Sequence, residues 1–293
     1  MNNDLTSPDA SLEDVRPHVF KPEERPATPP AHLAAPVPPA PPTRPGPLAI
    51  ISDVHANLEA LTAVLSDINR RGIKRIICLG DVVGYGPNPL ECIDTIIERC
   101  EFSLMGNHDF AIFFEPYNFN TAAENAAFWT RSQFENDPDI ERRNNRWRYL
   151  GSMPTRMNNE RFVCFHGSPR RPINEYVFPD DIYTAPQKMA AIFERFQHLC
   201  FVGHTHVPGV FVPDPDFYSP EELSNRFTIS GERAMINVGS VGQPRDRNPF
   251  ASFVILHDPD EHDSGDGGGG GGGGGSNSPY PPRRSTAREN KQS

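Results

Sequence analysis

The chain contains no Cys-x-x-Cys pair, no apolar run approaching a membrane span and no excess of positive charge. Its five cysteines (Cys78, Cys92, Cys100, Cys164, Cys200) are odd in number and scattered. That argues against a disulfide framework; buried, reduced thiols of a cytoplasmic protein are expected. The first 30 residues lack the charged-then-apolar plan of a signal peptide, and no membrane partner is expected. A net charge of −10 argues against a nucleic-acid binder, which would carry a basic face. It does not exclude a phosphate substrate, because bound cations reverse the local field of an acidic site.

Periodicity is missing at both ends. Ten prolines fall between Pro26 and Pro47, so residues 1–47 are expected to form a disordered or polyproline-like head. Beyond Pro259 the chain is acidic, then runs through uninterrupted glycine from Gly267 to Gly275 and ends polar and basic. Glycine at that density offers nothing to pack, so 259–293 reads as a disordered tail. The folded part is expected over 48–258, a reasonable length for one domain.

Within it, apolar runs alternate with helical spacing. Leu48–Ser52, Arg75–Leu79 and Phe102–Met105 read as strands. Between them, Leu58, Leu61, Val64, Leu65 and Ile68 mark one helix, capped by Asn57, and Leu90, Ile93, Ile96 and Ile97 mark another. This βαβαβ order implies parallel strands covered by helices. Two helices from about Thr121 to Tyr149 interrupt the alternation and read as an inserted cap, with its bounds near 110–150. Further strands are expected at Arg161–Phe165, Leu199–Val202, Gly209–Val212, Arg226–Ser230, Ala234–Val238 and Ser252–His257, with a helix near Pro186–Phe196. The pattern predicts an α/β fold of two sheets packed face to face with helices outside.

Polar residues fall where the strands end: Asp53-x-His55, Gly80-Asp81, Gly106-Asn107-His108-Asp109, His166-Gly167 and Gly203-His204-Thr205-His206. Loops at the carboxyl ends of parallel strands converge on one edge, so these side chains are expected together. If extended, Asp-x-His and His-x-His would send both side chains to one face. The mixture of imidazole and carboxylate suits Mn, Fe, Zn, Ni or Co rather than Ca or Mg alone. Asp81 could bridge two ions.

The series resembles the five-block signature of the calcineurin-like metallophosphoesterases, across Leu48 to His257. Gly80–Pro89 and Gly239–Asp246 resemble the small prokaryotic branch of phosphodiesterases and diadenosine-polyphosphatase-like enzymes. The resemblance implies the four-layer metallophosphoesterase fold and two divalent ions, with manganese favoured. It implies attack by a metal-bridging water on a phosphodiester or phosphomonoester of a small molecule or nucleotide. It assigns Asp53, His55 and His206 to one ion, Asn107, His166 and His204 to the other, and Asp81 to both. His108 would donate a proton or hydrogen bond to the leaving oxygen, oriented by Asp109. The Asp-Arg-Gly of protein phosphatases is replaced by Val82-Val-Gly-Tyr85 after Asp81, which speaks against that activity.

Other readings stay open. The substrate could be a dinucleoside polyphosphate, the fold could be a non-catalytic metal scaffold, and a nuclease is disfavoured by charge. Asp109 either serves His108 or caps the following helix. Arg245 and Gln243 either touch substrate phosphate or are structural, with Arg245 pairing Asp246. The Arg142–Arg146 run either faces the cleft or forms a solvated helix face. Phe128 and Trp129 are expected in the core of the cap. His18, His32, His198, His257 and His262 carry no motif. The oligomeric state is open.

Overall fold

The computed structural model describes residues 46–257. Residues 1–45 of the expected head and the expected tail, 259–293, lie outside the described residues, as do His18, His32 and His262.

The first strand, β1 (Leu48–Ile51), leads into α1 (Leu58–Arg70) and β2 (Arg75–Cys78). Asn57 caps α1 through its side chain, which accepts from the backbone N–H of Ala60. Helix α2 (Pro89–Arg99) opens on proline, whose missing N–H costs nothing in a first turn. Three helices follow: α3 (Asn107–Phe113), α4 (Thr121–Glu135) and α5 (Ile140–Ser152). The second half holds β3 (Arg156–Asn158), β4 (Phe162–Phe165), α6 (Asp181–Thr184), α7 (Pro186–Phe193), β5 (Leu199–Val202), β6 (Gly209–Val212), β7 (Asp216–Tyr218), β8 (Ala234–Asn237) and β9 (Val254–Leu256).

The strands make two mixed sheets, ordered β2-β1-β9 and β3-β4-β5-β8-β6-β7. In the first, β1 runs parallel to β2 and antiparallel to β9. In the second, β4, β5 and β8 are parallel neighbours, flanked by antiparallel β3 and β6.

Strand alternation sorts the core into three slabs. Leu48 and Ile50 meet Phe162, Cys164, Leu199 and Phe201 between the sheets. Ala49 and Ile51 point the other way, onto Leu61, Val64 and Ile68 of α1 and Ile93 and Ile96 of α2. Cys200 and Val202 face Ile192 and Phe193 of α7. The layers are therefore helix, sheet, sheet, helix. Helix α5 is pinned to α2 by Arg146, which is buried and makes a paired contact with Asp94 (2.7 Å for both bonds) and a second with Asp137.

Several local expectations change. Phe102–Met105 forms one isolated parallel bridge, Cys78 to Ser103, rather than a full strand. It lies at a sheet edge with a partner on one side only. Among the described residues Arg226–Ser230 forms no strand, and Ile229 is exposed. Phe128 and Trp129 are 44% and 43% exposed, because α4 buries the face carrying Ala123, Ala127, Thr130 and Phe134 instead. All five cysteines are free, four of them buried. Among the described residues no helix is long and apolar enough to cross a membrane.

Candidate metal centre

The polar strand ends meet on one edge, as the parallel order requires. Asp53 and His55 follow β1, Asp81 follows β2, His166 follows β4, and His204 and His206 follow β5. Asn107 opens α3. Two buried groups of potential ligands result: Asp53, His55, Asp81 and His206, and Asp81, His166 and His204, with Asp81 common to both. The amide oxygen of Asn107 joins the second, 3.2 Å from His166 Nε2.

The local backbone is not the extended one expected for Asp-x-His and His-x-His. Asp53, His55, Asp81, His204 and His206 have φ of 54°, 49°, 52°, 67° and 59°. Left-handed backbone costs a side-chain-bearing residue roughly 1–2 kcal/mol, though Asp and His tolerate it better than most. Hydrogen bonds beyond the strand ends hold it: Asp53 N–H to Gly80 O (3.0 Å), His55 N–H to Asp81 O (3.0 Å) and Ala56 N–H to Val82 O (2.9 Å). The side chains therefore converge by loop curvature, not by strand alternation. Strain of this kind gathers at functional sites.

The imidazoles are oriented by backbone carbonyls. His55 Nδ1 faces Val83 O at 3.3 Å, His166 Nδ1 faces Leu79 O at 3.0 Å, and His206 Nδ1 faces Gln243 O. Carbonyls only accept, so these nitrogens carry the protons, and in the neutral imidazole each Nε2 is left with a lone pair. Those lone pairs point at other acceptors. His206 Nε2 is 3.1 Å from His55 Nε2 and 3.1 Å from Asp53 Oδ1. His166 Nε2 is 3.1 Å from His204 Nδ1 and 3.3 Å from Asp81 Oδ2. Acceptors facing acceptors in a buried site require a cation between them, either a proton on one imidazole or a metal ion. A divalent ion fits each cluster on these grounds.

The electrostatics agree. Burial drives the pKa of His55 and of His204 down to about 3, leaving them neutral. Burial also opposes a charge on His166, but the carboxylates of Asp81, Asp53 and Asp109 together push it the other way, to about 9. Burial opposes ionisation of Asp81, but His166 and His108 hold its carboxyl well below the usual range. A proton on His166 thus supplies the positive charge that the donor set otherwise lacks.

His108 lies against the cleft, with its backbone N–H donating to Asp81 Oδ1 at 2.8 Å. Its ring packs on Gly84, where an added Cβ would sit 2.5 Å from Nδ1. Gly84 also has φ of +89°, so both space and backbone demand glycine. His108 Nδ1 is buried without a partner. Asp109 does not reach that ring. Its carboxylate accepts from four backbone N–H groups: Asp81 (2.7 Å), Val82 (3.0 Å), Val83 (3.3 Å) and Gly106 (3.0 Å). The bond to Gly106 caps α3, and the other three shape the loop that carries Asp81. Of the two readings of Asp109, orienting His108 or capping the following helix, these contacts are those of the cap.

Other residues fall plainly. Arg245 donates to Gln243 Oε1 (2.6 Å), and its guanidinium carbon lies 6.0 Å from the centre of the Tyr85 ring. It makes no ion pair with Asp246. Arg146 is buried in ion pairs and Arg142 pairs with Asp94, so neither faces the cleft. His198 and His257 lie exposed, outside both clusters. Sequence reasoning missed the supporting shell. Asn237 donates to Gly203 O and to Thr205 Oγ1 (2.8 Å each), and Ser240 Oγ donates to Asp53 O at 2.8 Å. The Gly-Ser-Val-Gly-Gln segment was the available signal for Ser240, and Asn237 had none.

Comparison with known proteins follows the same residues. A family described as calcineurin-like phosphoesterase matches residues 46–208. An uncharacterized protein of Methanocaldococcus jannaschii is 36% identical over 223 residues, covering 73% of this chain and 83% of its own. The crystal structure of a metallophosphoesterase from Sphaerobacter thermophilus is 40% identical, covers 73% of this chain and 84% of its own, and has a TM-score of 0.59. The phosphoesterase Yfce of E. coli is 18% identical, covering 72% of this chain and 88% of its own, with a TM-score of 0.37.

Proposed function

The chain belongs to the calcineurin-like phosphoesterase family, hydrolases of phosphate ester bonds, and from that premise we propose that it cleaves a phosphodiester or phosphomonoester at a two-ion centre. Asp53, His55 and His206 would hold one ion, Asn107, His166 and His204 the other, and Asp81 both. The observation that carries the reading is the convergence of buried imidazole nitrogens and carboxylates in two clusters sharing one carboxylate. Two such ions, when bound, acidify a water and neutralise phosphoryl oxygens. Imidazole-rich donors favour Mn, Fe, Zn, Ni or Co, with manganese the first candidate.

The chain's own groups would do the rest. His108, tied through its backbone to Asp81, presents its imidazole to the cleft and would donate from Nε2 to the leaving oxygen. That tautomer leaves a lone pair, not an N–H, at the partnerless Nδ1. Asp109 would act at a distance, fixing the loop that aims Asp81. Buried free thiols support a cytoplasmic location. The net charge of −10 supports a small-molecule or nucleotide substrate over a nucleic-acid partner.

The test is turnover of bis-p-nitrophenyl phosphate and p-nitrophenyl phosphate before and after EDTA. Chelation is expected to abolish hydrolysis, and manganese, cobalt or nickel to restore it better than magnesium. Undiminished activity in metal-stripped protein would overturn the two-ion reading.

A further inference from the structure

The loop Gly239–Asp246 is laced to the centre through its backbone. The N–H groups of Val241 and Gly242 donate to Ser52 O and Asp53 O (2.9 Å each), and that of Arg245 donates to His206 O at 3.2 Å. His206 in turn donates from Nδ1 to Gln243 O. At Gly242 an added Cβ would sit 1.8 Å from Val54 O, so only glycine lets the loop lie this close. The backbone of Arg245 is thereby held against the loops that carry Asp53 and His206.

Its side chain is held as well. The guanidinium donates to Gln243 Oε1 at 2.6 Å, and its central carbon lies 6.0 Å from the centre of the Tyr85 ring. It also approaches the Tyr176 hydroxyl. These two tyrosines stand on different halves of the centre. The Tyr85 ring packs on His55 at 5.0 Å, whereas Tyr176 is sandwiched between His204 at 3.9 Å and Phe178 at 5.5 Å. Tyr85 keeps its place on left-handed backbone, φ of 61°, which a bulky side chain rarely adopts. The guanidinium therefore spans the mouth of the centre from the His55 side to the His204 side.

In this chain a well-placed arginine usually meets an acid: Arg75, Arg131, Arg146 and Arg170 each pair with a carboxylate. Among the described residues Arg245 pairs with none, although Asp246 is its neighbour in sequence. A guanidinium carries five N–H donors. Those left over from Gln243 and Tyr176 match the oxygens of a phosphoryl group.

We propose that Arg245 is a specificity-determining contact for the substrate, gripping a phosphoryl oxygen and favouring a phosphomonoester over a phosphodiester. The proposal rests on the phosphoesterase reading above and adds the class of ester. A monoester carries about two negative charges near pH 7 and has three unsubstituted oxygens. A diester carries one charge and has two such oxygens. One guanidinium gains more from the first.

The test uses the full chain reconstituted with manganese, and Arg245→Gln beside Arg247→Gln. Both arginines are exposed, and each variant removes one positive charge. Isothermal titration with inorganic phosphate is expected to show Arg245→Gln binding roughly 10- to 150-fold more weakly, the loss of one hydrogen bond to a charged group. Arg247→Gln is expected to stay near the parent. p-Nitrophenyl phosphate and p-nitrophenyl ethyl phosphate share a leaving group, and Arg245→Gln is expected to lower kcat/KM on the first severalfold more than on the second. Phosphate affinity unchanged in Arg245→Gln, or lowered equally by Arg247→Gln, overturns the contact. A diester rate that falls as far as the monoester rate overturns the selectivity. A parent that hydrolyses neither ester yet loses phosphate binding with Arg245 removes the hydrolytic reading and keeps the anion contact. Turnover of both esters that Arg245→Gln leaves intact keeps the phosphoesterase and removes the proposal.

Discussion

Replacing Asp109 by asparagine puts an amide nitrogen where a carboxylate oxygen now accepts two backbone N–H groups. One oxygen serves Val82 and Val83, the other Asp81 and Gly106. Asparagine keeps one acceptor and turns the other into a donor facing donors. Hydrogen bonds to a charged group contribute about 1.5–3 kcal/mol each, so two lost bonds cost about 3–6 kcal/mol. Burial and the nearby Asp81 push the Asp109 acid up to about 7, so the carboxyl is partly neutral and the lower end applies. In a domain of this size each kcal/mol moves Tm by about 2–4 °C. Asp109→Asn is therefore expected to lower Tm by roughly 6–12 °C. The measurement belongs on metal-free protein, by thermal unfolding, so that ion affinity does not mix with stability. A Tm within about 2 °C of the parent, with kcat alone reduced, would refute the loop-holding role. It would return Asp109 to orienting His108.

His108→Ala is expected to lower kcat by roughly 10²- to 10⁴-fold on alkyl esters and less on p-nitrophenyl esters, whose leaving group scarcely needs a proton. Equal losses on both substrates would point to a structural histidine. Arg146→Ala is expected to lower the denaturant midpoint, since it removes the contacts with Asp94 and Asp137 that pin α5 to α2 and leaves Asp94 only its exposed pair with Arg142; a midpoint equal to the parent's would contradict this. Metal-free protein is expected to be most stable near pH 6.5. His166, raised to about 9, contributes fully below 6.5 and loses that contribution as pH rises through 9. His55 and His204, lowered to about 3, contribute fully above 6.5 and lose it as pH falls toward 3. A Tm that climbs steadily from pH 6.5 to 9 would contradict the placement of that proton.

The strands that aim the centre were legible because each is a short apolar run closed by Asp or His. Leu48–Ile51, Arg75–Cys78, Phe162–Phe165 and Leu199–Val202 all have this form. The short strands β3 and β7 were not, since Arg-Met-Asn and Asp-Phe-Tyr are too brief to show alternation. Arg226–Ser230 shows alternation through Phe227 and Ile229, yet among the described residues it forms no strand. Propensity alone does not make a sheet. The residues of the centre were named from spacing and resemblance, but not their local geometry. Left-handed backbone at five of them depends on hydrogen bonds between loops that sequence does not join. The hold of Asp109 on the loop that carries Asp81 was illegible for the same reason, because three of its four donors lie more than 25 positions away. The rings beside Arg245 likewise come from separated segments, and no motif marks Tyr176.

Metal content tests the central claim most directly. Elemental analysis of protein reconstituted with manganese and desalted should find about two ions per chain, as a shared-carboxylate centre requires. Asp81→Asn should lose most of both, whereas His108→Ala should keep them. A parent chain holding no ion, or an Asp81→Asn variant as fully loaded as the parent, would contradict a two-ion centre built on Asp81.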